Sequence, residues 1–200
     1  MNINVYTNRF HSVVLDLSHL LNIYAPTAIY TNGEYSNILF DGDDEAQERF
    51  DIFFNPDRPR DINVYLNPAS STEKTIIITD SAFELSQIIK ANHFTGELFV
   101  ISPNAISGLF RGIEKAFNTE NLKVKSYFIP FNEKDMVYLN NFGISVKIMY
   151  DRMSKQYQSA LIDIFNLLTG NTFSSKKALE KFIKQKNKAD KEHTKKDEEK

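Results

Sequence analysis

Ile76, Ile77 and Ile78 form an unbroken β-branched run near the middle of the chain. A strand buried on both faces has this pattern, as in a parallel sheet covered by helices. Phe99, Val100 and Ile101 repeat it. Between the two runs, Phe83, Leu85, Ile88 and Ile89 fall on one helical stripe, and Ser81 with Glu84 has capping-box form. A second helix is predicted over 104–118, with Ile106, Leu109, Phe110, Ile113 and Phe117 at helical spacing and Asn104 as its cap. Residues 124–130 predict a third strand. Residues 75–130 therefore predict strand, helix, strand, helix, strand, with right-handed crossovers.

Upstream, residues 3–7 predict a first strand. Ser12 is a candidate N-cap for a helix whose buried face is Val13, Val14, Leu17, Leu20, Leu21 and Tyr24. Pro26 ends that helix, and residues 27–31 begin a second strand. Asn32-Gly33 signals a tight turn, after which residues 34–40 either pair back as a hairpin or form a separate strand. Residues 50–54 and 62–66 predict two more strands around a loop holding Pro56 and Pro59. Residues 137–150 stay ambiguous, divided by Gly143, with 144–148 alternating like a strand. Residues 154–169 predict a helix through Tyr157, Leu161, Ile164, Phe165 and Leu168, closed at Gly170. A short helix over 175–186 carries Leu179, Phe182 and Ile183. The expected architecture is a Rossmann-like three-layer α/β domain over 1–170 with a mostly parallel sheet. A short C-terminal helix over 171–186 and a disordered Lys/Glu-rich tail over 187–200 follow it.

Composition narrows the chemistry. The 16 Phe and 9 Tyr suffice for a sizeable core, and the absence of Cys removes disulfides, thiolate metal sites and cysteine nucleophiles. The opening residues carry no basic segment before an apolar core, and no apolar run approaches the length of a membrane span. A cytoplasmic location without a membrane span is the expectation. The abundance of Asn, Ile and Lys suggests AT-rich coding, as in some viruses and low-GC bacteria. The net charge of −2 hides an asymmetry: residues 176–200 hold 10 Lys against 6 Asp or Glu, a balance of +4, so the remainder stands at −6. An acidic body disfavours a nucleic-acid groove, and the interspersed acids of the tail suit a solubilising segment.

Candidate chemistry is positional. In an open parallel sheet the ligand crevice lies at the carboxyl ends of the strands. His11 falls in the first strand-to-helix turn, where it could serve as a general base, or simply start the helix. Asp80, Ser102 and Asn104 follow the two central strands, and the helix starts there suit an anion. His19 is expected on the surface, and His93 at a helix end in a structural role. Asp41, Asp43 and Asp44, after three apolar residues, resemble the acidic motif that holds a divalent cation against a nucleotide-sugar diphosphate. A solvated acidic turn is the commoner use of such a run. The glycine-rich dinucleotide fingerprint and the P-loop are both absent.

The order of elements resembles the acceptor-side domain of two-domain (GT-B) glycosyltransferases over residues 1–136. The likeness rests on the strands at 3–7 and 27–31, the strand ending in Ser102, and the strand ending in Pro130 with Asp135 beyond. It implies a nucleotide-sugar site with Mg²⁺ or Mn²⁺, His11 and Asp80 as catalytic groups, Ser102 and Asn104 toward the cofactor, and Asp41 and Asp43 on the metal. Pro130 is followed by Phe131-Asn132 where the family has Asn-Gly, and the first turn lacks glycine. The residues after 136 are too few for the family's sugar-nucleotide domain. The leading expectation is a non-catalytic or reduced Rossmann-like protein that binds another macromolecule, with a protein partner. A small glycosyltransferase-like enzyme, or a nucleotide or nucleic-acid binder using the tail, are the alternatives.

Overall fold

A computed structural model describes residues 1–8, 10–31, 52–69, 74–92, 94, 97–102, 123–130, 132–135 and 148–198. In chain order the elements are β1 (Asn2–Tyr6), α1 (His11–Tyr24), β2 (Thr27–Tyr30), β3 (Phe53–Phe54), β4 (Ile62–Leu66), β5 (Lys74–Ile78), α2 (Ala82–Ala91), β6 (Glu97–Ser102) and β7 (Lys123–Phe128). A 3₁₀ turn (Tyr150–Arg152), α3 (Lys155–Thr169) and α4 (Lys176–Glu198) complete them.

The strands form one seven-stranded sheet in the order β3-β2-β4-β1-β5-β6-β7. Every described pairing is parallel. β1 sits between β4 and β5, with Val5 opposite Leu66 on one side and Ile76 on the other. The strand period of two divides the apolar residues between two cores. Ile3, Val5, Ile76, Ile78, Phe99 and Ile101 face the core shared with α1 and α3. Tyr6, Ile77, Leu98 and Val100 face the core shared with Leu85 of α2. The expected Rossmann-like, three-layer α/β arrangement is what the chain adopts.

Helix α1 is buried nearly all round. Besides the expected stripe, Leu15, Asp16 and Ser18 are buried, because α3 and α4 pack over the side turned from the sheet. His19 is accordingly half-buried, where the sequence pattern placed it on the surface. The helix starts at His11 with Phe10 as its N-cap, so Ser12 is not the cap. Helix α3 follows the sequence signals: Ser154 Oγ accepts from the Tyr157 N–H, and Gly170 takes the left-handed conformation at φ 72°.

Two expectations need correcting. Phe83 does not join the buried stripe of α2 but is 74 % exposed, since it lies two residues before Leu85, about 200° round the helix from it and on the side opposite Leu85, Ile88 and Ile89. The final helix does not stop near Lys186; it runs to Glu198, through Lys, Gln, Ala and Glu residues of good helix propensity. The segment 34–40, residues 144–147 of the strand-like segment 144–148, the helix over 104–118, His93, Asp41, Asp43 and Asn104 lie outside the described residues; Ile148 is described and is not in a strand.

Candidate functional site

The topology places one crevice. From β1 the chain passes through α1 to β2 on one side of the sheet's middle; from β5 it passes through α2 to β6 on the other. The two helices pack on opposite faces, so the switch point of this doubly wound sheet lies between the carboxyl ends of β1 and β5. Thr7, Asn8, Phe10 and His11, with Thr79 to Ser81, stand at these strand ends.

The polar groups at this edge are largely engaged with one another. Thr7 is fully buried; its Oγ1 accepts from the Phe10 N–H at 3.1 Å. Its backbone is gripped by Asn67, whose Oδ1 accepts from Thr7 N–H at 3.0 Å and whose Nδ2 donates to Thr7 O at 2.9 Å. On the β5 side Thr79, also fully buried, donates its hydroxyl to Glu84 and accepts from the Ser81 N–H at 3.1 Å. Ser81 Oγ accepts from the Glu84 N–H at 3.3 Å. Half of the expected capping box therefore forms. The reciprocal half does not, because Thr79 takes both the Ser81 N–H and the Glu84 carboxylate.

Of the sequence candidates, His11 stands at the first position of α1 and is buried, with 6 % of its surface exposed. Burial lowers its pKa below the ordinary imidazole value, which favours the neutral ring. Ser102 is buried at the end of β6, and its carbonyl accepts from Ile129 N–H at 3.0 Å, extending the ladder to β7. Asp80 is half-buried between Thr79 and the capping Ser81. The structure thus gathers His11 and Asp80 at the same edge, on the two strands that flank the switch point. Among the described residues no group of three His, Asp or Glu could hold a metal ion.

Two arrangements escaped the sequence reading. The first is a pair of strand-end clasps. Asn55 and Asn67 are the described non-glycine residues with positive φ, at 41° and 46°. Asn tolerates that left-handed region better than most side chains. Each then uses its amide as a continuation of the neighbouring strand: Asn55 Oδ1 accepts from Thr31 N–H at 2.8 Å, as Asn67 Oδ1 does from Thr7. The signal is in the sequence, since Tyr-Thr-Asn closes both β1 and β2, and Asn-Pro follows both β3 and β4.

The second is a buried acidic network under the C-terminal helices. Asp16 Oδ1 accepts from the N–H groups of Met149 at 2.6 Å and Tyr150 at 2.9 Å, and Oδ2 from the Tyr157 hydroxyl at 2.8 Å. Asp135 accepts from Ser154 N–H at 2.7 Å and from its hydroxyl at 2.6 Å, and from Asn132 N–H at 3.2 Å. Both carboxylates are fully buried. With their lone pairs facing internal donors and no exposed surface, they tie helices together and offer nothing to a substrate. Burial raises the pKa of Asp16 to about 7, its three donors offsetting part of that cost. Burial, with the charge of Asp16 next, also raises the Tyr157 hydroxyl.

A hollow of about 570 Å³ is formed by the starts of α3 and α4, with Lys155, Ser159, Ser174, Ser175 and Lys177 on its walls. No helix of the described residues is long and apolar enough to cross a membrane. No protein-family model, curated protein or solved structure matches the chain.

Proposed function

We propose that the chain is a non-catalytic Rossmann-like module that acts by binding another protein at the carboxyl edge of its sheet. The observation that carries this reading is the contrast at that edge. Thr7, Thr79 and Ser81 are committed to internal hydrogen bonds, Glu84 holds Thr79 through Oε2, and His11 and Ser102 are buried, while Phe83 stands 74 % exposed on the first turn of α2. Phe128, 48 % exposed at the end of β7, adds a second aromatic ring at the same edge. An enzyme needs reactive groups within reach of a substrate, whereas a binding module needs desolvatable aromatic surface.

Tagged protein carrying wild-type, Phe83→Asp or His11→Ala sequence separates the two roles. A partner recovered by the wild type should be retained by His11→Ala and lost by Phe83→Asp, with both variants folded by circular dichroism. Loss on His11→Ala with retention on Phe83→Asp would move the function into the crevice.

A further inference from the structure

The Lys residues of the C-terminal segment look scattered along the sequence, but the helix aligns five of them. Lys177, Lys181, Lys184, Lys188 and Lys191 recur at steps of four, three, four and three, which brings them onto one line of α4. All five are exposed. Leu179 and Ile183, two residues beyond the first two lysines, lie about 200° round the helix and pack into the core. The row therefore faces away from the body. It runs for about 21 Å at the helical rise of 1.5 Å per residue.

The acids near the row's head have a cation outside the row beside them, although Glu180 also borders the row. Lys176, which is not part of the row, holds Asp151 at 2.7 Å and Glu180 at 3.9 Å. Lys177, Lys181, Lys184 and Lys191 form no ion pair with any described residue. A shallow hollow of about 390 Å³ runs past Lys177, Lys181, Lys184 and Lys188, with Glu180 and Gln185 also on its wall. Lys177 and Glu180 also border the 570 Å³ hollow, which carries the exposed Lys155 at the start of α3 together with Asp151.

We propose that this lysine row is a binding surface for the phosphodiester backbone of a nucleic acid. A single file of cations with a pitch of about 5 Å suits a linear polyanion, and lysines recognise phosphate as point charges without reading base sequence. The acidic body lies behind α4 and leaves the row as the positive face. An anionic bilayer is the poorer fit, because residues 184–191 hold no apolar side chain larger than Ala189 to enter the acyl boundary.

The test is fluorescence anisotropy of the full chain with a labelled mixed-sequence duplex and with its single strand, over a salt series from about 50 to 200 mM. Five phosphate contacts give a slope of log K against log salt of about −4.5 on duplex, or about −3.5 on the single strand. The Lys181→Ala, Lys184→Ala, Lys188→Ala triple variant changes only exposed side chains. It should fold with unchanged circular dichroism, reduce the slope by about 3 and weaken all sequences alike. Absence of binding at about 50 mM salt would overturn the proposal, as would a slope that the triple variant leaves unchanged. Binding to phosphatidylserine vesicles with none to nucleic acid would overturn it in favour of a membrane surface.

Discussion

The Tyr157 hydroxyl donates to Oδ2 of Asp16 at 2.8 Å, joining α3 to α1 inside the core. The other oxygen of that carboxylate holds the backbone of Met149 and Tyr150, so one side chain fixes the approach of the whole C-terminal segment. Truncation to Asp16→Ala leaves two N–H groups and a phenol without an acceptor. A loss of roughly 2–4 kcal/mol is expected. Asp16→Asn keeps the oxygen that receives the two N–H groups, and the phenol can accept from the new amide; it should lose much less. Urea midpoints of the two variants check this, and equal losses would mean the hydrogen bonds are not what holds the segment.

Asp16 also makes stability depend on pH. Its folded pKa, about 7, is raised above the ordinary value of 3.8 by burial. Between those values the folded chain holds a proton that the unfolded chain releases, so this contribution is complete at low pH and is lost as pH rises toward 7. The slope is on the order of 1 kcal/mol per pH unit. His11 acts in the opposite sense: its lowered folded pKa means that acid favours the unfolded chain, and its contribution grows as pH rises through the ordinary imidazole range. Subtracting the Asp16→Asn stability curve from the wild-type curve isolates the first effect. That difference should fall between pH 5 and pH 7 and be flat above about 7.5; a rising difference would mean that the donors, not burial, govern the carboxyl.

The two asparagine clasps should differ in weight. Asn67 closes a half-buried junction between β4 and β1, whereas Asn55 closes an exposed one between β3 and β2. Asn67→Ala combines two lost hydrogen bonds with a left-handed backbone that alanine resists, and should cost roughly 2–3 kcal/mol. Asn67→Gly keeps the backbone at ease and should recover about 1 kcal/mol of that. Asn55→Ala should cost about 1 kcal/mol. Thermal melts of the three variants rank them, and an Asn55→Ala loss as large as that of Asn67→Ala would contradict the assignment.

The elements that were legible in the sequence are those written by local rules. Ile76–Ile78 declared a doubly covered strand, and Ser154 and Gly170 declared both ends of α3. What stayed hidden was set by partners distant in sequence. Asp16 looks like a surface acid on an amphipathic helix until Met149, Tyr150 and Tyr157 arrive from more than a hundred residues away. Phe83 was counted with the stripe of α2 for its apolar character, but its place about 200° round the helix from Leu85 turns it outward. At the crevice, the positions of His11 and Asp80 followed from strand ends alone. The engagement of their neighbours depended on Asn67 and Glu84, to which no pattern of apolar residues points.

At the carboxyl edge between β1 and β5, Thr7, Thr79 and Ser81 are spent on internal hydrogen bonds, and the proposed role there is protein binding in place of a small ligand. The most direct test is a thermal-shift panel of nucleotides and nucleotide sugars, each with and without Mg²⁺ or Mn²⁺. A ligand of the folded chain present at about 100 times its dissociation constant adds about 2.7 kcal/mol of stability, well within reach of the measurement. The expected result is no shift in Tm for any nucleotide or nucleotide sugar. A metal-dependent rise with one sugar nucleotide, abolished by Asp80→Ala, would contradict the claim and establish the edge as a ligand site.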